Sequence, residues 1–568
     1  MMFPPLLTLT FLASAISANP IVSRNQSTSS GQAPIVTIRN GSYYGSHSST
    51  YAQDYFLGIP FAQPPLEELR FANPQPLNWA WTGVLPATNY AYECIGYGGD
   101  QVGYQQSEDC LYLNVVRPSG YENTSLPVAV WIHGGGFFDG GAPDLRYNLS
   151  FIVQNSVNIG KPIIAASIAY RLGPFGFLNG NDVARAGVAN LGLKDQRLAL
   201  HWIQENIAGF GGDPSKVTIW GESAGALSVG FHLVAFNGRD DKLFRAGIME
   251  SGNPVYSSAT NGSDWYQPRY ALLVAAAGCS NSTDSLDCLR RLPLFVLNNV
   301  LNKTEFNSGW GPAFDGDFIA RLGSEQLADG SFVHVPVISG ANTDEGTAFS
   351  PLGINETADF VYYLNTTTSA QNAWPGDIVQ EILEAYPSDP NKGIPSSQTL
   401  GGDVVLGSPY GAQFRRSAAY FGDQMFIAGR RLTCHTWASA NVPAYCYRFN
   451  AVPATSIWPQ GATHFTEVAF VFNNVQGLGY TVNPFSNRSE SYTQLSSLMS
   501  KSWASFVYDL DPNRWVGRDA TVPAWPAYSV ESPMNMVWEA NITSHTESDT
   551  FRAEGISILN ANWKLIVR

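Results

Sequence analysis

Two runs of small residues stand where this chain could do chemistry. The first is Gly221-Glu222-Ser223-Ala224-Gly225, set between the apolar run Val217–Trp220 and a helical pattern of Ala226, Leu227, Val229, Phe231, Leu233 and Val234. A strand that turns into a helix across G-x-S-x-G presents its serine hydroxyl at the tip of a sharp turn, as a nucleophile requires. Glycine is needed at 221 and 225 because a side chain there would collide with the neighbouring strand or helix. A helix N-terminus beneath Ser223 favours negative charge developing beside it. The five-residue pattern arises easily by chance, and its strand-and-helix setting gives it weight.

The second run, His133-Gly134-Gly135-Gly136-Phe137-Phe138, follows the strand pattern Val128–Ile132. Three successive glycines let backbone N–H groups approach a substrate closely. The expected donors to a tetrahedral oxyanion are the N–H groups of Gly135 and Gly136, with Ala224 from the serine turn; each such donor typically contributes 10²–10³ in rate. A phosphate-cradling loop would end in Lys followed by Ser or Thr, and Phe137-Phe138 supplies neither.

A serine nucleophile needs a base, and the base needs an orienting acid. Chains with this kind of turn carry them in the order Ser, acid, His. The histidines after residue 340 are His435, in a helical pattern, His545, in a polar Thr/Ser stretch, and His464. His464, in Gly461-Ala462-Thr463-His464-Phe465, lies on a loop past the strand pattern Ala444–Phe449, where a loop can return to Ser223. For the acid, Asn342-Thr343-Asp344-Glu345-Gly346 places two carboxylates past the pattern Val335–Ile338. Adjacent side chains point apart, so at most one of Asp344 and Glu345 faces the imidazole. The local sequence leaves that choice open.

Positioning these groups requires a sheet. Apolar runs at Val128–Ile132, Ile163–Ala169, Val217–Trp220, Ala246–Met249, Val335–Ile338 and Ala444–Phe449 read as buried parallel strands. Leu198, Leu200, Trp202, Ile203 and Ile207 predict an amphipathic helix over Leu193–Ile207. Ile35–Ile38, Asp54–Leu57 and Leu111–Val116 read as antiparallel leading strands at the sheet edge, and residues 350–440 as a helix-rich insertion. The candidate residues span 134 to 464, so residues 35–568 are expected to be one catalytic domain.

The chain has 568 residues, 44% hydrophobic and 14% charged, with a formal charge of −14. That composition fits a globular protein, and its sign disfavours nucleic acid and anionic lipid as partners. Leu6, Leu7, Leu9, Phe11 and Leu12 precede the small residues Ala13 to Ala18. This is the shape of a signal peptide over 1–18, though without a basic start, followed by a polar segment over 19–34. No later run reaches the roughly 18 apolar residues of a membrane span. Sequons at Asn25, Asn40, Asn123, Asn148, Asn261, Asn281, Asn302, Asn355, Asn365, Asn487 and Asn541 agree with export, and any glycosylated site must lie at the surface. In an oxidising compartment the close pairs Cys94–Cys110 and Cys279–Cys288 are the economical bridges, the first closing a loop worth roughly 3 kcal/mol. Cys434 and Cys446 are left between a bridge and two buried thiols. No Cys/His cluster has metal spacing.

Further motifs carry a resemblance: Gly58-Ile59-Pro60-Phe61-Ala62-Gln63-Pro64-Pro65 with Leu69-Arg70-Phe71, Glu108-Asp109-Cys110-Leu111-Tyr112-Leu113-Asn114, Tyr170-Arg171-Leu172-Gly173, Leu193-Lys194-Asp195-Gln196 and Phe210-Gly211-Gly212-Asp213-Pro214. With the serine turn, they make the chain resemble the type-B carboxylesterase/lipase family from about Ile35 to near the C-terminus. The resemblance implies an α/β-hydrolase fold: a mostly parallel central sheet flanked by helices, with large helical insertions. It also implies Glu345 rather than Asp344 as the acid and His464 as the base. The bridges Cys94–Cys110 and Cys279–Cys288 carry over, while Cys434 and Cys446 have no counterpart. The implied activity is that of a secreted serine carboxylic ester hydrolase acting through an acyl-enzyme, with no metal or organic cofactor and a small-molecule or lipid ester as substrate. Lipid-type members cover the site with a flap between the first two bridged cysteines. The short Cys94–Cys110 loop favours soluble or small amphiphilic esters, with lipase or sterol esterase activity as the alternative. A rival from another class, a cholinesterase-like binding protein without the nucleophile, is disfavoured because every catalytic position is filled.

Overall fold

A computed structural model describes residues 33–256, 258, 260–367 and 373–566. The expected signal peptide, and all but the end of the polar segment after it, lie outside the described residues. From Pro34 onward the chain forms one unit around an 11-stranded sheet. Its strands in chain order are β1 (Ser46–Ser48), β2 (Gln53–Pro60), β3 (Tyr112–Pro118), β4 (Leu126–Ile132), β5 (Ile164–Ile168), β6 (Gly212–Glu222), β7 (Ala246–Glu250), β8 (Val337–Asn342), β9 (Ala444–Phe449), β10 (Met534–Trp538) and β11 (His545–Ser548). Their spatial order is β1-β2-β3-β5-β4-β6-β7-β8-β9-β10-β11.

The run from β5 to β10 is parallel throughout, and both margins are antiparallel. Burial on two faces explains why β4, Leu-Pro-Val-Ala-Val-Trp-Ile, is apolar without alternation and buried at every residue. Val128, Val130 and Ile132 join one core with the helices α1 (Leu191–Asn206), α2 (Ala224–Gly238) and α4 (Ala428–Ser439). Ala129 and Trp131 enter the other, beneath α5 (Glu490–Asp509). There Trp131 and Trp220 pack edge-on at 4.6 Å. Four of the sequence motifs pair into two internal clamps. Arg70 grips Glu108 with Nε and Nη2 at 2.5 and 2.7 Å, and Arg171 grips Asp195 at 2.8 and 2.7 Å.

Several expectations shift. Ile35–Ile38 does not border the main sheet; it pairs with Gly41–Tyr44 in a separate three-stranded sheet. The strand expected from Val335 begins at Val337, because Pro336 has no N–H to give the ladder, and runs on to Asn342. The predicted helix from Leu193 starts at Leu191 and passes into a 3₁₀ turn at Ile207. The strands β10 and β11 were not foreseen. The described residues between 350 and 440 are rich in helix, as expected, and include α3 (Phe414–Gly422), a π-helical turn at Asp423–Ile427 and α4. All six cysteines are bridged: Cys94–Cys110 and Cys279–Cys288 as expected, and Cys434–Cys446, which ties α4 to β9. Of the sequons, Asn261, two residues before the helix Ser263–Ala276, is buried. Among the described residues no helix is long and apolar enough to cross a membrane.

Candidate active site

Ser223 stands between β6 and α2 with φ 54° and ψ −121°, a sparsely populated conformation that costs about 1–3 kcal/mol. A serine preceding a helix usually caps it, but this side chain makes no cap hydrogen bond and is turned elsewhere. The flanking glycines make the turn feasible. A Cβ on Gly225 would lie 2.0 Å from the Ile132 carbonyl oxygen, and one on Gly221 would lie 2.4 Å from the carbonyl carbon of Gly225.

His464 lies on the loop after β9, and Glu345 opens a 3₁₀ turn directly after β8. His464 Nε2 is 2.8 Å from Ser223 Oγ, and His464 Nδ1 is 2.6 Å from Glu345 Oε2. The carboxylate is fully buried. Its other oxygen accepts from Ser251 Oγ at 2.5 Å and from the backbone N–H of Asn342 at 2.7 Å. Glu345 is therefore fixed by three donors, with one oxygen reserved for the imidazole.

Asp344 points the other way. Its Oδ2 accepts the N–H of Ala462 at 2.8 Å, and its own N–H donates to the Ala462 carbonyl at 3.0 Å. Burial pushes its carboxyl up to about 7. Thr347 Oγ1 donates to the Gln460 carbonyl at 2.8 Å, and Asn342 Nδ2 to that of Thr463 at 2.8 Å. The turn that carries Glu345 thus also holds the loop that carries His464. The two rejected histidines lie apart: His435 on α4, and His545 at the start of β11.

The glycine loop folds against the serine: a Cβ on Gly134 would lie 3.2 Å from Ser223 Cβ. Gly135 and Gly136 have φ +95° and +60°, and the Gly135 carbonyl accepts from Phe138 and Asp139, each at 3.0 Å. None of the N–H groups of Gly135, Gly136 and Ala224 donates to another described residue. His133 at the head of the loop stacks on Tyr170 at 4.4 Å, and burial lowers its imidazole to about 4, so it is neutral.

Residues not foreseen as part of the site surround this line. Glu222 Oε1 is 3.3 Å from His464 Nε2; burial, with Glu467, Glu345 and Glu250 nearby, raises its carboxyl well above the usual range. Glu250, raised mainly by burial, accepts from the indole N–H groups of Trp220 and Trp503 at 2.5 and 2.7 Å. Phe349 and Phe426 pack against the His464 ring at 4.9 and 4.7 Å and against each other at 5.3 Å. Ser251 had a weak signal in the sequence, since, like Ser223, it directly follows the end of an apolar strand. The aromatic pair had none.

The comparisons with known proteins bear on what such an arrangement is for. The model of the carboxylesterase family matches residues 32–554. "Secreted lipase 1" of Botryotinia fuckeliana is 36% identical, with 93% of each chain covered. "Lipase 2" of Geotrichum candidum is 32% identical over 89% of this chain and 91% of its own. The crystal structure of Aspergillus niger EstA superposes with a TM-score of 0.81 at 27% identity, covering 94% of this chain and 99% of that one. A parallel sheet interrupted by a serine turn, matched in sequence and in shape along nearly its whole length, places the chain in the carboxylesterase family of α/β-hydrolases, as a carboxylic ester hydrolase.

Proposed function

We propose that the protein is a secreted serine ester hydrolase in which Ser223 is the nucleophile, His464 the general base and acid, and Glu345 the residue that orients the imidazole. The single observation that carries this is the continuous line from Ser223 Oγ through both nitrogens of His464 to Glu345 Oε2, at 2.8 and 2.6 Å. His464 takes the serine proton as Oγ attacks the ester carbonyl, then gives it to the leaving alcohol; water repeats the cycle on the acyl-enzyme. Gly135, Gly136 and Ala224 supply N–H donors to the oxyanion. Glu345 stabilises the imidazolium without taking its proton.

The substrate reading favours soluble or small amphiphilic esters. Cys94 and Cys110 are only 16 positions apart, and the loop between them is pinned. Tyr97 donates its N–H to the Phe138 carbonyl at 2.9 Å and its hydroxyl to Asn298 at 2.6 Å, while Glu93 and Cys94 pair with Gln106 and Ser107. A short, pinned loop is a poor lid. The lipase reading is favoured by the names of the fungal relatives and by Phe349, 38% exposed beside His464.

A fluorophosphonate probe followed by peptide mapping tests the assignment. Labelling at Ser223, lost in Ser223→Ala together with ester hydrolysis, is the expected result. Failure to label the native protein favours the binding-protein reading. Rates on p-nitrophenyl butyrate and palmitate, with and without emulsion, test the substrate class; a steep rise above the solubility limit would overturn the preference for soluble esters.

A further inference from the structure

A π-helical turn is rare, and where it interrupts an α-helix it commonly serves a site. Here Asp423–Ile427 interrupts the run from α3 to α4. One extra residue in a turn rotates the side chains around it by ~100° relative to an unbroken helix. Phe426, on this turn, is 2% exposed and stacks on the His464 ring, centroid to centroid 4.7 Å with 25° between planes. Phe349 meets the same imidazole edge-on, at 72°, and packs against Phe426 at 5.3 Å.

The turn is anchored from below. Asp423, fully buried, accepts from Arg552 Nε at 2.6 Å and Nη2 at 2.5 Å, and from the Tyr386 hydroxyl at 2.8 Å. Arg552 precedes the helix Ala553–Asn562 and Tyr386 follows the helix Gly376–Ala385, so two further elements fix its place. It also abuts the acid turn: a Cβ on Gly346 would lie 2.5 Å from the N of Gly422.

We propose that Phe426 is a positioning residue for the hydrolytic reaction. The π-turn, clamped at Asp423, aims its ring at His464 and holds the imidazole in the one rotamer that reaches both Ser223 and Glu345. The inference rests on the triad reading above. An imidazole tethered only at its two nitrogens loses both contacts on a single χ1 rotation. An aromatic face against the ring fills the space that rotation needs, and it favours the imidazolium formed when Ser223 gives up its proton. A misplacement of about 1 Å in a reacting group costs up to about 10²-fold in rate, which sets the scale of the effect.

The test compares Phe426→Leu and Phe426→Tyr with Phe414→Leu, a buried control on α3 away from the site. The readouts are kcat, KM, thermal midpoint and the low-field proton resonance of the His464–Glu345 hydrogen bond. The expectation is a kcat reduced about 10- to 100-fold in Phe426→Leu with KM within about threefold, the low-field resonance broadened or lost, and both recovered in Phe426→Tyr. Phe414→Leu should lower the midpoint and leave kcat alone. If Phe426→Leu does not fold, Phe426→Met carries the same comparison. A kcat within twofold of the parent would overturn the proposal, as would equal losses in Phe426→Leu, Phe426→Tyr and Phe414→Leu. These outcomes are distinct from failure of the triad reading, which shows as an unlabelled Ser223 in the parent protein.

Discussion

Replacing Glu345 with Gln removes one charge and almost no volume. Glu345 Oε1 accepts from Ser251 Oγ and the Asn342 N–H, so the amide must place its carbonyl oxygen there. Its NH₂ group then faces His464 Nδ1, where Glu345 Oε2 now lies at 2.6 Å. Two donors would meet unless the imidazole gives up its Nδ1 proton and carries it on Nε2. An Nε2–H cannot accept the proton of Ser223. The electrostatic loss adds to this. An imidazolium and a carboxylate with charge centres about 4 Å apart interact by about 4 kcal/mol at an effective dielectric of 20, which is about 10³-fold in rate. Glu345→Gln is therefore expected to lower kcat by at least about 10³ with KM little changed and the fold intact. Initial rates on p-nitrophenyl butyrate, normalised to correctly folded protein by circular dichroism and thermal midpoint, measure it. Asp344→Asn is the internal control: its carboxyl serves the Ala462 N–H, which an amide oxygen also accepts, so kcat should stay within about tenfold. A Glu345→Gln enzyme within tenfold of the parent, or an Asp344→Asn enzyme more impaired than it, would refute the assignment of the acid.

Burial and close packing elsewhere in the fold set further outcomes. Glu93 is 1% exposed, and burial, with Asp144 and Asp100 nearby, raises its carboxyl from 4.5 to about 8. The folded state then holds a proton that the unfolded chain releases, so this group's contribution to stability is complete below about pH 4.5 and is lost as pH rises toward about 8, by at most on the order of 5 kcal/mol. Glu93→Gln should flatten that decline in urea titrations at pH 5 and pH 9; an unchanged slope counts against the burial argument. Gly225→Ala should cost at least about 3 kcal/mol, or prevent folding, because its Cβ meets the backbone oxygen of Ile132 at 2.0 Å; a thermal midpoint equal to the parent's would contradict the close approach. Glycopeptide mapping should find occupied sites among the exposed Asn123, Asn281, Asn302, Asn355, Asn487 and Asn541 and none at the buried Asn261; a glycan on Asn261 in folded protein would show that its surroundings open.

Much of this protein is local and therefore written in the chain. The serine turn needs glycine at fixed offsets between a strand and a helix, and that demand is met within five residues. The parallel strands announce themselves as unbroken apolar runs because both of their faces are covered. Other features depend on partners far along the chain. Asp344 and Glu345 are indistinguishable in sequence. They differ only because the 3₁₀ turn after β8 sends one toward Ala462 and the other toward His464, at separations of 118 and 119 residues. The Cys434–Cys446 bridge exists because α4 lies on β9. Ile35–Ile38 left the main sheet for one of its own because alternation along a strand specifies a buried face but names no neighbour. The two aromatic rings on the His464 imidazole, Phe349 and Phe426, come from segments far apart in the chain, and the interrupted helix sets the direction of one of them, a geometry that no pattern of apolar residues encodes. Sequence fixes which groups are present and how each is locally strained or buried; only packing decides which of them meet.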